Sequence, residues 1–464
     1  MSNNIITMSD SYKMTHWKQY LPNTEKVYSY FEARKGATYN KTVFFGLQYL
    51  IKKHLVGQVV TYDKIEEAKE LSNAHFGSPD IFNEKMWKYI LSYYGGCLPI
   101  RIRAVAEGTP VDISNAMMTV ENTDVNCAPL TNHLESLLTH VWSSSTTATL
   151  SYEVHKMIEY YLKETSDDMS LLKFSLHDFG YRGCSSDESA AIQGAGHLLN
   201  FMGTDTIPAM EIARDYYGAS YDGLAYSVPA TEHSVMTSGG PEGEEAVFAN
   251  CLKNYPKGIL SVVIDSYNYR DFILKIAMKH KDEILARDGK VVFRPDSGDP
   301  TSVTIDVLEC LENVFGSAKN KKGYKVLNPK VGMLWGDGID YQGIRSILFT
   351  MRNQGWAANN IVFGMGGSLL QKMTRDSQRH AFKCSAQQRG GIWYDVYKKP
   401  LDVSKASKAG KLSLILMKDG RFETVPEIND PSLKDADCLK TVFEDGKLVK
   451  EYTFSECRKN TGNW

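Results

Sequence analysis

The sequence predicts an α/β protein, an irregular (β/α) barrel domain joined to a mixed α+β domain, and three observations lead there. Between about residues 172 and 386 short apolar strands recur, each closing on a polar or glycine-rich turn and most leading into an amphipathic helix. Ahead of them, the first 150 residues mix helical periodicity with strands that alternate apolar and charged positions. Behind them, short strands are separated by Asp-Gly turns, a hairpin signature. The expected division is a mixed α+β domain over residues 1–150, a barrel-like domain over 151–386, and an antiparallel tail over 387–464 that packs back on the first domain and completes it.

Bulk composition agrees. The 464 residues exceed one ordinary core, and 42% hydrophobic with 23% charged residues is the balance of a soluble globular protein. Lys plus Arg number 53 against 55 for Asp plus Glu, so no net field recruits nucleic acid or an anionic membrane. The eight cysteines include no CxxC pair, which argues against a zinc knuckle or a disulfide framework and for reduced thiols in the cytoplasm. No uncharged apolar run approaches the roughly 18 residues of a membrane span, and the first residues carry no basic start followed by an apolar run.

Taken in order, Asp10 to His16 reads as a loop or short helix, and Lys26 to Arg34 as a strand ending at the turn Lys35-Gly36. Phe44, Leu47, Leu50, Ile51 and Leu55 recur at helical spacing over 43–56, and a charged helix follows at about 64–75. The alternation from Leu98 to Val105 predicts a half-exposed antiparallel strand with Met117 to Glu121 as its partner, before helices at about 132–142 and 148–164.

Eight strand ends then follow, near Asp178, Asp205, Thr231, Asp265, Asp296, Asp337, Gly366 and Lys383. In a parallel barrel such ends converge on one face, where the active site forms. Helices are expected at 301–315 and 341–354 between them, and hairpins at Asp419-Gly420 and Asp445-Gly446 in the tail.

The stretch Val291 to Pro300 carries the densest chemistry. Arg294 presents a planar fork suited to phosphate or carboxylate, and Asp296, one strand period along, can bind a hydroxyl or orient a cation. A phosphosugar needs both. Gly364-Met365-Gly366-Gly367-Ser368, between a strand and a helix, offers bare backbone amides to an anion. His177 to Gly183 combines an imidazole, the Phe179 ring and the Arg182 cation, a set that could stack a flat heterocycle and hold its polar edge. His233, beside Glu232, could serve as nucleophile or general base. Arg375, Lys383, Lys398, Lys405 and Lys408 make the late region basic. No GxSxG, HExxH, GxxxxGK[ST] or EF-hand pattern is present.

The motifs DSYKMTHWKQY, HDFGYRG, GTDT, VPATEHS, IDSYN, RPDSG, GDGID, GMGGSLLQKMTRD and FKCS, spread over nearly the whole chain, resemble the nicotinamide phosphoribosyltransferases, type II phosphoribosyltransferases. The resemblance implies transfer of ribose 5-phosphate from phosphoribosyl pyrophosphate to nicotinamide in NAD salvage. It implies Mg2+ on the pyrophosphate, with no direct metal ligand assigned, and ATP as an activating co-substrate that phosphorylates His233. It also implies a homodimer with shared sites, in which Phe179 and Tyr12 of the other subunit sandwich the nicotinamide ring. Asp205 would accept from the carboxamide, Arg182 would line the ring pocket, and Arg294 with Asp296 would hold the ribose and its phosphates. Gly336, Asp337, Gly366, Gly367 and Arg375 would complete that side, while Arg34, Lys383, Lys398 and Lys405 would bind pyrophosphate. The chain departs from the longer members where Gly36 to Lys41 replaces a basic loop after Arg34, and where Gln387 to Lys411 is shortened. Two competing readings are a nicotinate phosphoribosyltransferase, which the acidic Asp205 disfavours, and a catalytically silent nucleotide-binding protein, which the intact set of Asp205, His233, Arg294 and Asp296 disfavours.

Overall fold

Two sheets of opposite construction organise the computed structural model, which describes residues 4–399, 406–430 and 435–464. The chain forms two compact units: Met1–Thr149 with Ile212–Ala219 and Met373–Trp464, and Leu150–Glu211 with Ser220–Lys372.

The first unit is built on a seven-stranded antiparallel sheet in the order Ile392–Asp395, His380–Arg389, Thr24–Ala33, Ala116–Asn122, Ile100–Ala104, Lys440–Glu444, Lys447–Leu448. Along Ile100–Ala104 the burial alternates, with Ile100, Ile102 and Ala104 inside. Arg101 and Arg103 point out to Glu444 and Asp437. Tyr28 and Tyr30 pack with Ala116, Ala386 and Leu412 as a buried cluster. Both Asp-Gly hairpins form; at the second, Asp445 and Gly446 take φ of 46° and 81°, the left-handed pair a two-residue hairpin requires.

Two helix expectations shift. The helix expected over 43–56 spans only Leu47–His54, because Gly46 takes a left-handed φ of 104° ahead of it, while Lys41–Val43 is a strand. The buried Glu107 carboxylate accepts from the amides of Gly46 and Gln48 and from the Tyr217 hydroxyl, so it caps this helix. The break expected between 142 and 148 does not occur, and one helix runs Val141–Thr165. Its Ser/Thr-rich run stays helical because buried hydroxyls in it find carbonyls: Thr146 and Thr149 donate to Trp142 and Ser145 one turn back, and Ser144 and Ser145 donate to Phe45.

The second unit holds a parallel sheet of six strands in the order Gly203–Thr204, Leu176–Asp178, Ile361–Met365, Val331–Trp335, Asp288–Arg294, Lys257–Val263. Eight were expected, and both differences have physical causes. The segment near Val228 makes only single bridges, Tyr226 to Gly203 and Ala230 to Ser261, because Pro229 has no N–H to continue a ladder. Those bridges fall on the two opposite edge strands, so this segment fastens the sheet into a ring. The strand expected at 381–385 lies in the antiparallel sheet of the first unit, paired with Thr24–Ala33. Only the single turn Gly367–Leu370 follows the sixth strand, too short for the crossover that a parallel neighbour requires. Residues 373–386 accordingly group with the first unit. Between the strands, Pro300–Phe315 starts on an Asp299 cap and buries Val303, Val307, Leu308, Leu311 and Val314, and Tyr341–Asn353 starts on an Asp340 cap and buries Ile344, Ile347, Leu348 and Met351.

Candidate active site

Parallel strands end together at one rim, so the residues after each strand become neighbours. A polar cavity of about 590 Å3 opens there, lined among others by Phe179, Arg182, Asp205, Arg294, Asp296, Gly336, Asp337, Gly366 and Gly367. These are nine of the predicted site residues, drawn from five strand ends. A second, apolar cavity of about 360 Å3 runs inward from the same rim and shares Phe179, Asp205 and Arg294 with the first.

The Phe179 ring is held by what is missing beside it. A Cβ on Gly364 would lie 2.1 Å from its edge and one on Gly336 3.4 Å away, so the two glycines are the bed on which the ring lies. Its amide donates to the Met365 carbonyl at 3.0 Å. Asp178, fully buried just before it, accepts from the Gly180 amide at 2.7 Å and fixes the turn; burial pushes its carboxyl up to about 6. Asp205 presents its carboxylate to both cavities, one oxygen taking the Ser227 hydroxyl at 2.5 Å.

Arg294 donates to the Thr231 carbonyl at 2.8 Å and keeps a buried Nε without a partner among the described residues. A guanidinium left so has donors to spare for an anion. Burial pushes the Asp337 carboxyl upward, and the charges of Asp296 and Asp265 reinforce it. Three carboxylates therefore feel one another at this rim. Yet among the described residues no group of three or more His, Cys, Asp or Glu is arranged to hold a metal ion. A Mg2+ ion takes one or two carboxylates plus substrate phosphates and water, and Asp296 and Asp337 are carboxylates of this rim that could hold one.

His233 opens the short helix His233–Met236, its side chain 47% exposed. Its Nε2 lies 3.0 Å from Asp265 Oδ1, and the other oxygen of Asp265 accepts the Ser297 hydroxyl. Asp265 thus ties the histidine to the Arg294-Asp296 turn. With Nε2–H directed at a carboxylate, Nδ1 carries the free lone pair.

The remaining predictions fall in the first unit. Lys383 is partly buried, which lowers its ammonium pKa; Glu135 pulls it back up, and Arg34, Lys398 and Arg375 lower it further. Those four cations therefore form one cluster. Arg34 donates to the Arg379 carbonyl at 3.3 Å, whereas Lys408 is committed to an ion pair with Glu32. Tyr12, in the 3-10 helix Ser11–Lys18, exposes 55% of its surface with its ring edge-on to His16. Lys405 lies outside the described residues.

Sequence reasoning missed Asp265, Ser227 and Gly364 as site residues. Asp265 and Gly364 stood in recognised strand-end motifs, but only the fold shows that one orients His233 and the other makes room for Phe179. Ser227 carried no signal at all.

The sequence pattern of the nicotinate phosphoribosyltransferase (NAPRTase) family matches residues 174–447, and that of the nicotinamide phosphoribosyltransferase N-terminal domain matches residues 4–102. A nicotinamide phosphoribosyltransferase of Xanthomonas campestris pv. campestris is 44% identical over 98% of this chain and 97% of its own. Another from Acinetobacter baylyi is 34% identical over 98% of this chain and 96% of its own. Among solved structures, nicotinate-nucleotide pyrophosphorylase from Pyrococcus furiosus superposes with a TM-score of 0.61 at 14% identity, covering 99% of this chain and 95% of that one. Human nicotinic acid phosphoribosyltransferase gives 0.57 at 14% identity, covering 98% and 92%. Those two show the fold; the two full-length relatives and the matched pattern show that this chain belongs to the nicotinate phosphoribosyltransferase (NAPRTase) family.

Proposed function

We propose that this enzyme transfers the 5-phosphoribosyl group of phosphoribosyl pyrophosphate to nicotinamide, giving nicotinamide mononucleotide and pyrophosphate in NAD salvage. The observation that carries this reading is that Phe179, Asp205 and Arg294 line one space, a platform for a flat ring, an acceptor for its amide and a cation for the donor's phosphate. The pyridine ring stacks on Phe179, with Arg182 at the rim of its pocket and its carboxamide N–H donated to Asp205. An acid in place of the amide would bring its carboxylate against that of Asp205, which disfavours nicotinate.

The pyridine nitrogen lone pair forms the bond to ribose C1, and the C1–O bond breaks with its electron pair leaving on pyrophosphate. Positive charge grows on the ribose as that bond lengthens, and Asp296 and Asp337 supply negative charge facing it. Arg294 and the glycine amides at Gly336, Gly366 and Gly367 hold the 5-phosphate side. The cluster of Arg34, Arg375, Lys383 and Lys398 has the charge to take pyrophosphate, with Lys405 assigned to the same group. Mg2+, carried on the pyrophosphate, supplies charge neutralisation of the leaving group.

ATP phosphorylates His233 through the Nδ1 lone pair, ADP leaving, while Asp265 steadies the imidazole; the phosphohistidine helps position Mg2+ for transfer. The working form is a homodimer, in which Tyr12 of a second copy covers the open face of the ring. Its exposed aromatic surface supports that role. A cytoplasmic setting is supported by eight cysteines that all stand free. No helix among the described residues is long and apolar enough to cross a membrane.

The test is product formation from phosphoribosyl pyrophosphate and Mg2+, with nicotinamide or nicotinate and with or without ATP. Nicotinamide mononucleotide should form, faster with ATP, and His233→Ala should keep a slow transfer but lose the gain from ATP. No mononucleotide from either ring overturns the enzyme reading, and equal rates on both overturn the substrate assignment.

A further inference from the structure

Two of the cations assigned to pyrophosphate stand on loops that are bonded to each other. Arg34 directly follows the strand Thr24–Ala33, and residues 35–40 lead from it to Lys41–Val43. Arg375 lies just ahead of His380–Arg389, and residues 376–379 lead into that strand. The two strands pair with Ala33 opposite His380, so both loops leave the same end of the sheet. Between them the Gln378 side chain is fully buried. Its amide oxygen accepts from the Tyr39 N–H at 2.9 Å, and its NH2 donates to the Lys41 carbonyl at 3.1 Å and the Thr42 hydroxyl at 2.8 Å. The Thr38 amide and hydroxyl both reach the Ser377 carbonyl at 2.8 Å. A buried carboxamide satisfied at both ends holds its loop in one place, because any shift would leave buried polar groups unpaired.

Arg379, the next residue, joins the loops at Arg34 itself. Its carbonyl accepts from Arg34 Nε at 3.3 Å, and its own guanidinium donates to the Lys35 carbonyl at 3.1 Å. It does so from a φ of 50°, a left-handed backbone uncommon for a residue with a side chain. Gly36 leaves it room, since a Cβ there would lie 2.5 Å from Arg379 Nη1. The same turn fixes Arg375: the Arg379 amide donates to the Asp376 carbonyl and the His380 amide to the Arg375 carbonyl, both at 3.1 Å. With Nε engaged, Arg34 keeps its two terminal NH2 groups for phosphate oxygens.

We propose that Arg379 is a positioning residue for the pyrophosphate end of the donor: it sets the Arg34 guanidinium in place before the anion arrives, on a loop that Gln378 holds still. The proposal rests on the assignment of Arg34 and its neighbours to pyrophosphate. A free arginine gives up rotamer freedom when it binds, and one already held by its Nε gives up less, so affinity for the anion rises without a new contact to it. Once the donor is bound the Arg34 contact is the same with or without Arg379. The residue therefore acts on KM for phosphoribosyl pyrophosphate and leaves kcat and the nicotinamide side alone.

The test is steady-state kinetics of the full chain with Mg2+, nicotinamide and phosphoribosyl pyrophosphate, on Arg379→Gly, Arg379→Lys, Arg34→Ala and the double variant Arg34→Ala with Arg379→Gly. Glycine accepts the left-handed backbone and deletes only the tie to Lys35, whereas lysine restores a donor there. Arg379→Gly should raise KM for phosphoribosyl pyrophosphate roughly fivefold, the size of one side chain's ordering cost, with kcat and KM for nicotinamide unchanged. Arg379→Lys should recover most of the loss. In the Arg34→Ala background Arg379→Gly should add nothing, because there is no guanidinium left to place. A native KM in Arg379→Gly overturns the proposal, as do additive effects, which make Arg379 an independent contact, and a rise in both KM values that lysine does not recover, which makes it part of the fold alone. Arg34→Ala with a native KM for phosphoribosyl pyrophosphate overturns the pyrophosphate assignment itself and this proposal with it.

Discussion

In the second unit the site residues follow strand ends, and the side chains that line the polar cavity include the Phe179 ring, the carboxylates of Asp205, Asp296 and Asp337 and the Arg294 guanidinium shared with the apolar cavity, with glycines making the space between them. In the first unit the assigned cations are Arg34, Arg375 and Lys398, gathered around the partly buried Lys383, with Glu135 as the countercharge. Position in one is set by backbone geometry, where a methyl group too many displaces a ring. Position in the other is set by net charge, which long flexible side chains deliver from several directions and salt can screen. The two regions should therefore fail in different ways when altered.

The largest effect is expected from Arg294→Ala. It removes the cation that both cavities share, and kcat/KM should fall by roughly 100- to 1,000-fold, the cost typical of losing one aligned charge-stabilising donor. Steady-state kinetics measures it, with circular dichroism to confirm that the fold survives.

Gly364→Ala comes next and probes the backbone side of the contrast. A methyl where only 2.1 Å is free must push Phe179 aside, so KM for nicotinamide should rise about tenfold, with a stability loss of about 1–3 kcal/mol from overpacking. Phe179→Ala should raise KM similarly without the packing loss, and a normal KM in the glycine variant would show that the ring is not the platform.

Asp205→Asn should reduce the preference for nicotinamide over nicotinate by about tenfold, the size of one lost repulsion plus one weakened hydrogen bond. The ratio of kcat/KM values on the two rings reads it directly. The smallest effect is expected from the cation cluster. Lys383→Met should raise KM for phosphoribosyl pyrophosphate about threefold to fivefold, because neighbouring Arg34, Arg375 and Lys398 remain. Raising the salt concentration should narrow that gap while leaving the Gly364→Ala effect unchanged.

Much of this was legible in the sequence, and the failures have causes. Helices whose faces bury completely, such as Pro300–Phe315, matched their periodicity to within a residue because burial and capping agree. The antiparallel pair Ile100–Ala104 and Ala116–Asn122 was equally plain from its alternation. The eight-strand ring was an overcount for a reason no local pattern reveals. Ala381 to Ser385 has the texture of a buried strand in either sheet, and only the length of the preceding connection decides which one it joins. The Ser/Thr run at 143–149 looked like a break because hydroxyls compete with helices in water, whereas here burial turns them inward onto carbonyls. Residues assigned to substrate advertise themselves by type, as Arg294 and Asp205 do. Those that hold them, Asp265, Ser227 and Gly364, are ordinary until the fold brings them into contact.

The segment around Pro229 does two jobs with one short piece of backbone. It bonds to both margins of the six-stranded sheet, and the same few residues supply the Ser227 hydroxyl that anchors Asp205 and the Thr231 carbonyl that anchors Arg294. A mutation that retunes recognition here also loosens the staple that keeps the ring shut, so this stretch has little freedom to evolve. Lineages that acquire a new acceptor molecule would be expected to change at Asp205 or Arg182 first and to leave the clasp alone.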